Sequence, residues 1–250
     1  MIAFPWLRLR QQEIDQRFPK NVSSEKYTEG RSDDLHYIHI GKCGGATVWK
    51  AIQKSPVVKS KFTSTKKIHL RKPFYQKNSN YIMVLRNPIS RAISAFNWRY
   101  KLVVETKEQE FRFPGEFEIL EKYRTINNFA ENLYANGALD LAAVKEWQTV
   151  HHLKEDIDFY LAALLERVRP QQIFAVLVQE FLNDDIANML GVKSIASIHE
   201  NTSGMEKKKL GLSDVARDNL GKFLASDYSA IRKLSHIHPI DDDKLSVLLR

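Results

Sequence analysis

The sequence predicts an α/β domain of three layers, a central, mainly parallel sheet flanked by helices, and three observations carry that expectation. Short apolar runs occur at residues 35–40, 81–85 and 173–178, of strand length and rich in β-branched and aromatic residues. Each is followed by a stretch whose apolar residues fall at helical spacing. Strands that alternate with helices pair in parallel, because a parallel connection needs a crossover, and the crossovers cover both faces of the sheet. At 250 residues the chain has the length at which one such core suffices. Residues 36–250 are therefore expected to form a single domain behind a loose lead-in at residues 1–35.

The elements follow in order. Residues 19–35 are polar, with Pro19, Asn21, Ser23, Ser24, Gly30 and Ser32, a loop composition. The first strand, 35–40, breaks at Gly41, and Val48, Ala51 and Ile52 then mark a helix over 47–53. The second strand, 81–85, ends at Arg86; Asn87 is placed as a helix N-cap and Pro88 at the first helical position, ahead of a stripe of Ile89, Ile93, Phe96 and Tyr100. Helical patterns fill 117–134, 139–147 and 157–168. The third strand, 173–178, precedes a helix with Phe181, Ile186, Met189 and Leu190 that closes at Gly191. Ser213 is the N-cap candidate for a last helix reaching residue 234.

Hydrophobic residues make up 43% of the chain and charged residues 27%, which excludes a disordered polar chain. The net charge of +8 favours anionic partners such as nucleotides, acidic glycans, nucleic acids or acidic lipid surfaces, without choosing among them. The single cysteine, Cys43, excludes an internal disulfide and a cysteine zinc site, so a reducing compartment suits the chain. Residues 1–18 are interrupted by Arg8, Arg10, Glu13 and Asp15, unlike a signal peptide. No run approaches the roughly 20 apolar residues of a membrane span. The expectation is a cytoplasmic protein without stable membrane insertion.

Chemistry concentrates behind the first two strands. A glycine loop between a buried strand and a helix can wrap backbone N–H groups around a phosphate. Here Gly41, Gly44 and Gly45 supply the loop, Lys42 a positive charge and Thr47 a hydroxyl. The ATP and GTP form of such a loop, G-x-x-x-x-G-K-[ST], places lysine after the last glycine; in this chain lysine precedes the glycine pair, so that match fails. Arg86 leaves the second strand as a bidentate phosphate ligand. Ser94 lies with Ser90 on the helix face away from the apolar stripe, where its hydroxyl can join Arg86. Adjacent His151 and His152, and His199-Glu200 without a second histidine, argue against zinc; His151, His152 and Glu155 are expected on a surface helix, with lining of an acceptor pocket as the alternative.

Residues 37–47, YIHIGKCGGAT, resemble the 5′-phosphosulfate loop of the sulfotransferases that use 3′-phosphoadenosine 5′-phosphosulfate (PAPS). Cys43 and Ala46 stand where that family commonly has hydroxyl residues, which leaves the backbone cradle. Residues 85–96, LRNPISRAISAF, resemble the family's 3′-phosphate motif nearly position by position. Between them, Lys66-Lys67-Ile68-His69-Leu70 is similar to the stretch that carries the catalytic histidine of cytosolic sulfotransferases. Residues 178–184, VQEFLND, look like the E-x-L-x-x-D segment of glycan-directed branches; residues 201–204 and 207–209 fall where those branches place a loop over the nucleotide.

The resemblance implies a P-loop-like fold, PAPS as co-substrate, 3′,5′-ADP as product and no metal. It implies a donor site of Lys42, Cys43, Gly44, Gly45, Ala46, Thr47, Val48, Arg86 and Ser94, with His69 as general base and Lys42 and Lys67 at the transferring group. The acceptor would be a free hydroxyl, and the basic charge favours one on a glycan; nucleic acid is not an expected partner. Two rival readings remain: a nucleotide kinase or ATPase that needs magnesium, and a basic polyanion-binding protein without catalysis.

Overall fold

The computed structural model describes residues 32–193 and 211–250. Strand β1 (Asp34–Ile38) is buried along its length and leads through the glycine loop into α1 (Gly45–Lys54). Helix α2 (Pro56–Lys61) follows, started by Ser55, whose side chain accepts from Val58 N. Strands β2 (Ser64–Ile68) and β3 (Asn80–Leu85) come next. Helix α3 (Pro88–Tyr100) opens as the sequence predicts: the Asn87 side chain accepts from Ser90 N at 3.0 Å, and Pro88 sits in the first turn, where no N–H partner is missed. It continues into a π-helical turn at Lys101–Glu105.

Helices α4 (Glu116–Tyr123) and α5 (Ile126–Glu131) occupy the region read as one helix over 117–134. The break lies at Arg124, with φ of 60°, and at Thr125, whose hydroxyl caps α5. A short hairpin, β4 (Tyr134–Ala135) with β5 (Ala138–Leu139), precedes α6 (Leu141–Thr149) and α7 (Ile157–Leu165). Strand β6 (Ile173–Val178) feeds α8 (Leu182–Leu190), which Gly191 closes in a left-handed conformation as expected. The last predicted helix is two, α9 (Asp214–Phe223) and α10 (Ala225–Ile237), and α11 (Asp242–Leu249) ends the chain. Among the described residues, no helix is long and apolar enough to cross a membrane.

The main sheet has four strands in the order β2-β1-β3-β6, every pair parallel, and helices flank it. Strand β2 escapes a reading based on apolar runs because it is an edge strand that turns Lys66 and Lys67 to solvent. Strand order sets the site. The crossover from β1 leads to β2 on one side, and the connection from β3 leads to β6 on the other. The crevice outside the carboxyl ends of β1 and β3 is thus a topological switch point, the place where open parallel sheets bind ligands.

Two apolar clusters support this edge. One joins the sheet to α1, α7, α8 and α10. The other joins Ala92 and Phe96 of α3 to Phe129, Trp147 and Phe223. Arg99, at the end of α3, is clamped by Glu116 through Nε–Oε1 at 2.9 Å and Nη2–Oε2 at 2.6 Å. Both side chains are essentially inaccessible, with 2% and 0% exposure.

Candidate functional site

Lys42, with φ of 69°, and Gly44, with φ of 78°, both take left-handed backbone conformations in the turn from β1 into α1. Gly44 is the N-cap of α1 and has no side chain with which to cap it. The first amides of α1 are left for an anion, and the helix dipole adds partial positive charge there. Two glycines of the loop are required by neighbours. A Cβ on Gly45 would lie 1.9 Å from atoms of the His39 ring, and one on Gly41 would lie 2.5 Å from His152 Nδ1. Gly45→Ala should therefore cost about 1–3 kcal/mol as an overpacked contact, read as a fall in the denaturant midpoint at constant slope.

The predicted loop residues divide by depth. Cys43 and Val48 are fully buried in the sheet-side core, and burial pushes the Cys43 thiol up to about 12. Their side chains pack, and the Val48 N–H is taken by Gly44 O at 3.2 Å. Thr47 is buried in the first turn of α1, and Ala46 and Lys42 are half-buried. The Lys42 ammonium lies 4.3 Å from the centroid of the Trp98 ring on α3. Burial, and then the neighbouring Arg86 charge, pull Lys42 down to about 8.

Arg86, at the end of β3, donates from Nη1 to Lys42 O at 3.1 Å, and its Nε is 4.0 Å from Glu180 Oε1. That Nε is buried and makes no hydrogen bond. The two predicted phosphate ligands therefore meet at the switch point, and the guanidinium keeps donor capacity for a further oxygen. Ser94 lies on α3 three residues after Arg91 and four before Trp98. Arg91 bonds Gly41 O through Nε at 3.0 Å and Trp98 meets Lys42, so helical spacing sets Ser94 on the face that looks at the loop.

Arg91 is the residue that sequence reasoning missed. It is 1% exposed. Its Nη2 donates to His152 O at 2.6 Å and also to Glu155 O, so one guanidinium ties the glycine loop, α3 and the 152–155 turn together. An arginine one turn before Ser94, on the same helix face, was the available signal.

The histidines form a second feature of this edge. His69, just past β2, places Nδ1 at 3.0 Å from His39 O. A carbonyl only accepts, so Nδ1 carries the proton and the neutral ring presents Nε2 as a lone pair. The His39 and His69 rings stack at 4.1 Å, and the His69 and His152 rings are 5.9 Å apart. Burial is the main cause lowering His39, to about 3, and lowering His69 and His152 below the ordinary histidine range.

Lys67 is exposed, and its ammonium lies 5.5 Å from the centroid of the Trp49 ring of α1. His151 and Glu155 are 6% and 2% exposed, in turns between α6 and α7, which overturns the expected surface helix. Counted from Glu180, the E-x-L-x-x-D pattern places its aspartate at Asp185, one residue past the 178–184 segment; it is buried, accepting from Val178 N at 2.7 Å and pairing with Lys244 at 2.8 Å, while Asp184 is exposed. Residues 199–209, including the proposed nucleotide-covering loop, lie outside the described residues. Comparison with known proteins returns no match to a family model, a curated protein or a solved structure.

Proposed function

We propose that this chain is a P-loop-like sulfotransferase that moves a sulfuryl group from PAPS to an acceptor hydroxyl, with a glycan as the preferred acceptor class. The observation that carries the reading is the bond from Arg86 to the Lys42 carbonyl at the β1/β3 switch point, beside the uncapped start of α1. The residues present fit a nucleotide with phosphates at both ends. The amides of the glycine loop and Lys42 suit the 5′ end, and Arg86 Nε, buried and unbonded, suits the 3′ end with Ser94.

PAPS supplies an activated sulfuryl group. Lys42 neutralises the charge that grows on the leaving phosphate oxygen, an effect strengthened in a site that excludes water. His69 takes the acceptor proton on Nε2 as the hydroxyl attacks in line, and the His39 carbonyl holds the ring in the tautomer this requires. The net charge of +8 attracts an acidic glycan.

The pH dependence follows from the two shifted groups. His69 must be neutral to accept a proton, and its titration lies below the ordinary value of about 6.5 because it is buried. Lys42 must be charged, and in the free enzyme it discharges at about 8. The ratio kcat/KM for the donor therefore rises with pH through the His69 titration and falls as pH passes about 8. A profile flat from neutrality far into the alkaline range would remove Lys42 from the donor site. The reading itself is tested by incubating the protein with PAPS carrying labelled sulfate and a panel of desulfated glycans. Label transferred to a glycan supports it, and label retained on the nucleotide with every hydroxyl acceptor offered counts against it.

A further inference from the structure

The turn between α6 and α7 brings together three metal-ligating side chains that the proposed transfer reaction does not use. His151, His152 and Glu155 each offer a ligand atom, and those atoms lie within 4.8 Å of one another. His151 Nδ1 stands 3.2 Å from Glu155 Oε2, within ion-pair distance, and His152 Nδ1 is buried with no hydrogen-bond partner. A nitrogen and an oxygen at that separation match one edge of a tetrahedron of donors, since with zinc bonds of about 2.0–2.1 Å such an edge is roughly 3.3–3.4 Å.

We propose that His151, His152 and Glu155 bind one divalent cation of the zinc class. The surrounding structure holds all three in place. His152 N donates to Glu155 Oε2 at 2.8 Å, and Lys154 lies 3.6 Å from Glu155 Oε1, which orients the carboxylate. Arg91 holds the carbonyls of His152 and Glu155, and Glu116 Oε1 accepts from His151 N at 2.8 Å. Phe113 stacks on the His151 ring at 4.4 Å, closing one side with apolar surface. Outer contacts of this kind fix ligand orientation and raise metal affinity.

Two imidazoles and one carboxylate select zinc or cobalt over magnesium or calcium, which prefer sets made wholly of oxygen. Three protein ligands leave the fourth position to water or an anion. The left-handed backbone at His152, with φ of 66°, lets these consecutive histidines face a common point despite their adjacency in sequence, their rings 4.2 Å apart. Because the His152 ring packs on Gly41, a bound cation also fixes the wall of the glycine loop.

The test is a crystal of the wild-type chain grown with Zn2+, with anomalous data recorded on both sides of the zinc edge. The expected result is one peak bounded by His151, His152 and Glu155 at coordination distance. In solution, equilibrium dialysis should give one Zn2+ per chain, with affinity falling at least tenfold in His151→Ala or His152→Ala, and unchanged in His236→Ala, an exposed histidine of α10. A map without a peak at the triad overturns the proposal, as does Zn2+ binding that both cluster substitutions leave intact. Should either variant fail to fold, the wild-type map decides alone.

Discussion

Arg86→Ala should abolish the proposed response to 3′,5′-ADP while leaving the fold in place. Arg86 reaches the switch point from the end of β3, where its Nη1 already bonds Lys42 O and its Nε, 4.0 Å from Glu180 Oε1, is buried without a hydrogen bond. Removing one partner from a buried, charge-assisted contact costs about 2–5 kcal/mol, or roughly 30- to 5,000-fold in affinity. The apo protein loses one hydrogen bond to a carbonyl, worth about 0.5–1.5 kcal/mol, so its denaturation midpoint shifts little. Arg86→Lys should recover only part of the binding, since an ammonium cannot make two parallel contacts. Titration calorimetry with 3′,5′-ADP measures both variants. Affinity unchanged in Arg86→Ala would place the nucleotide elsewhere.

Glu116→Ala has the largest effect on stability, about 3–5 kcal/mol, because it strands the Arg99 guanidinium in the core. Glu116 accepts from Arg99 through both oxygens and from His151 N; Arg99 also donates to Gln109 Oε1 at 2.6 Å. The pair therefore joins the end of α3 to α4 and to the turn that carries His151. The double replacement Arg99→Met with Glu116→Leu leaves no orphaned charge and should recover part of the loss. Urea denaturation distinguishes the two outcomes. A Glu116→Ala midpoint equal to wild type would mean that Arg99 finds another acceptor.

Legibility from sequence followed burial. β1, β3 and β6 are buried almost along their lengths, because in a parallel sheet both faces are covered, and the apolar residues this demands made them readable. Asn87-Pro88 and Gly191 announced the ends of α3 and α8 by local backbone chemistry alone. β2 was not readable, since an edge strand bearing Lys66 and Lys67 lacks the pattern that marks a buried one. The break between α4 and α5 depends on the left-handed backbone at Arg124, which no residue type at that position advertises.

The site was legible where it follows a strand and obscure where it depends on packing. Lys42 and Arg86 each sit directly behind a readable strand. Their meeting depends on strand order, which periodicity does not encode. The glycines were read as room for a phosphate; Gly41 and Gly45 also make room for His152 and His39, a tertiary requirement. Arg91 and Glu155 were invisible as organisers because a buried charge is recognised by its partners, and those lie fifty or more residues away in the chain for Arg91.

The β1/β3 crevice is proposed to take a nucleotide with a 3′-phosphate. Thermal unfolding in the presence of 3′,5′-ADP, of 5′-ADP and of ATP with magnesium tests this most directly, because a ligand bound only by the folded state raises the midpoint with its concentration. The predicted result is a saturable rise with 3′,5′-ADP, a much weaker one with 5′-ADP, and loss of the rise in Lys42→Ala and Arg86→Ala. A rise with ATP and magnesium that exceeds the one with 3′,5′-ADP, or none with any nucleotide, would contradict it.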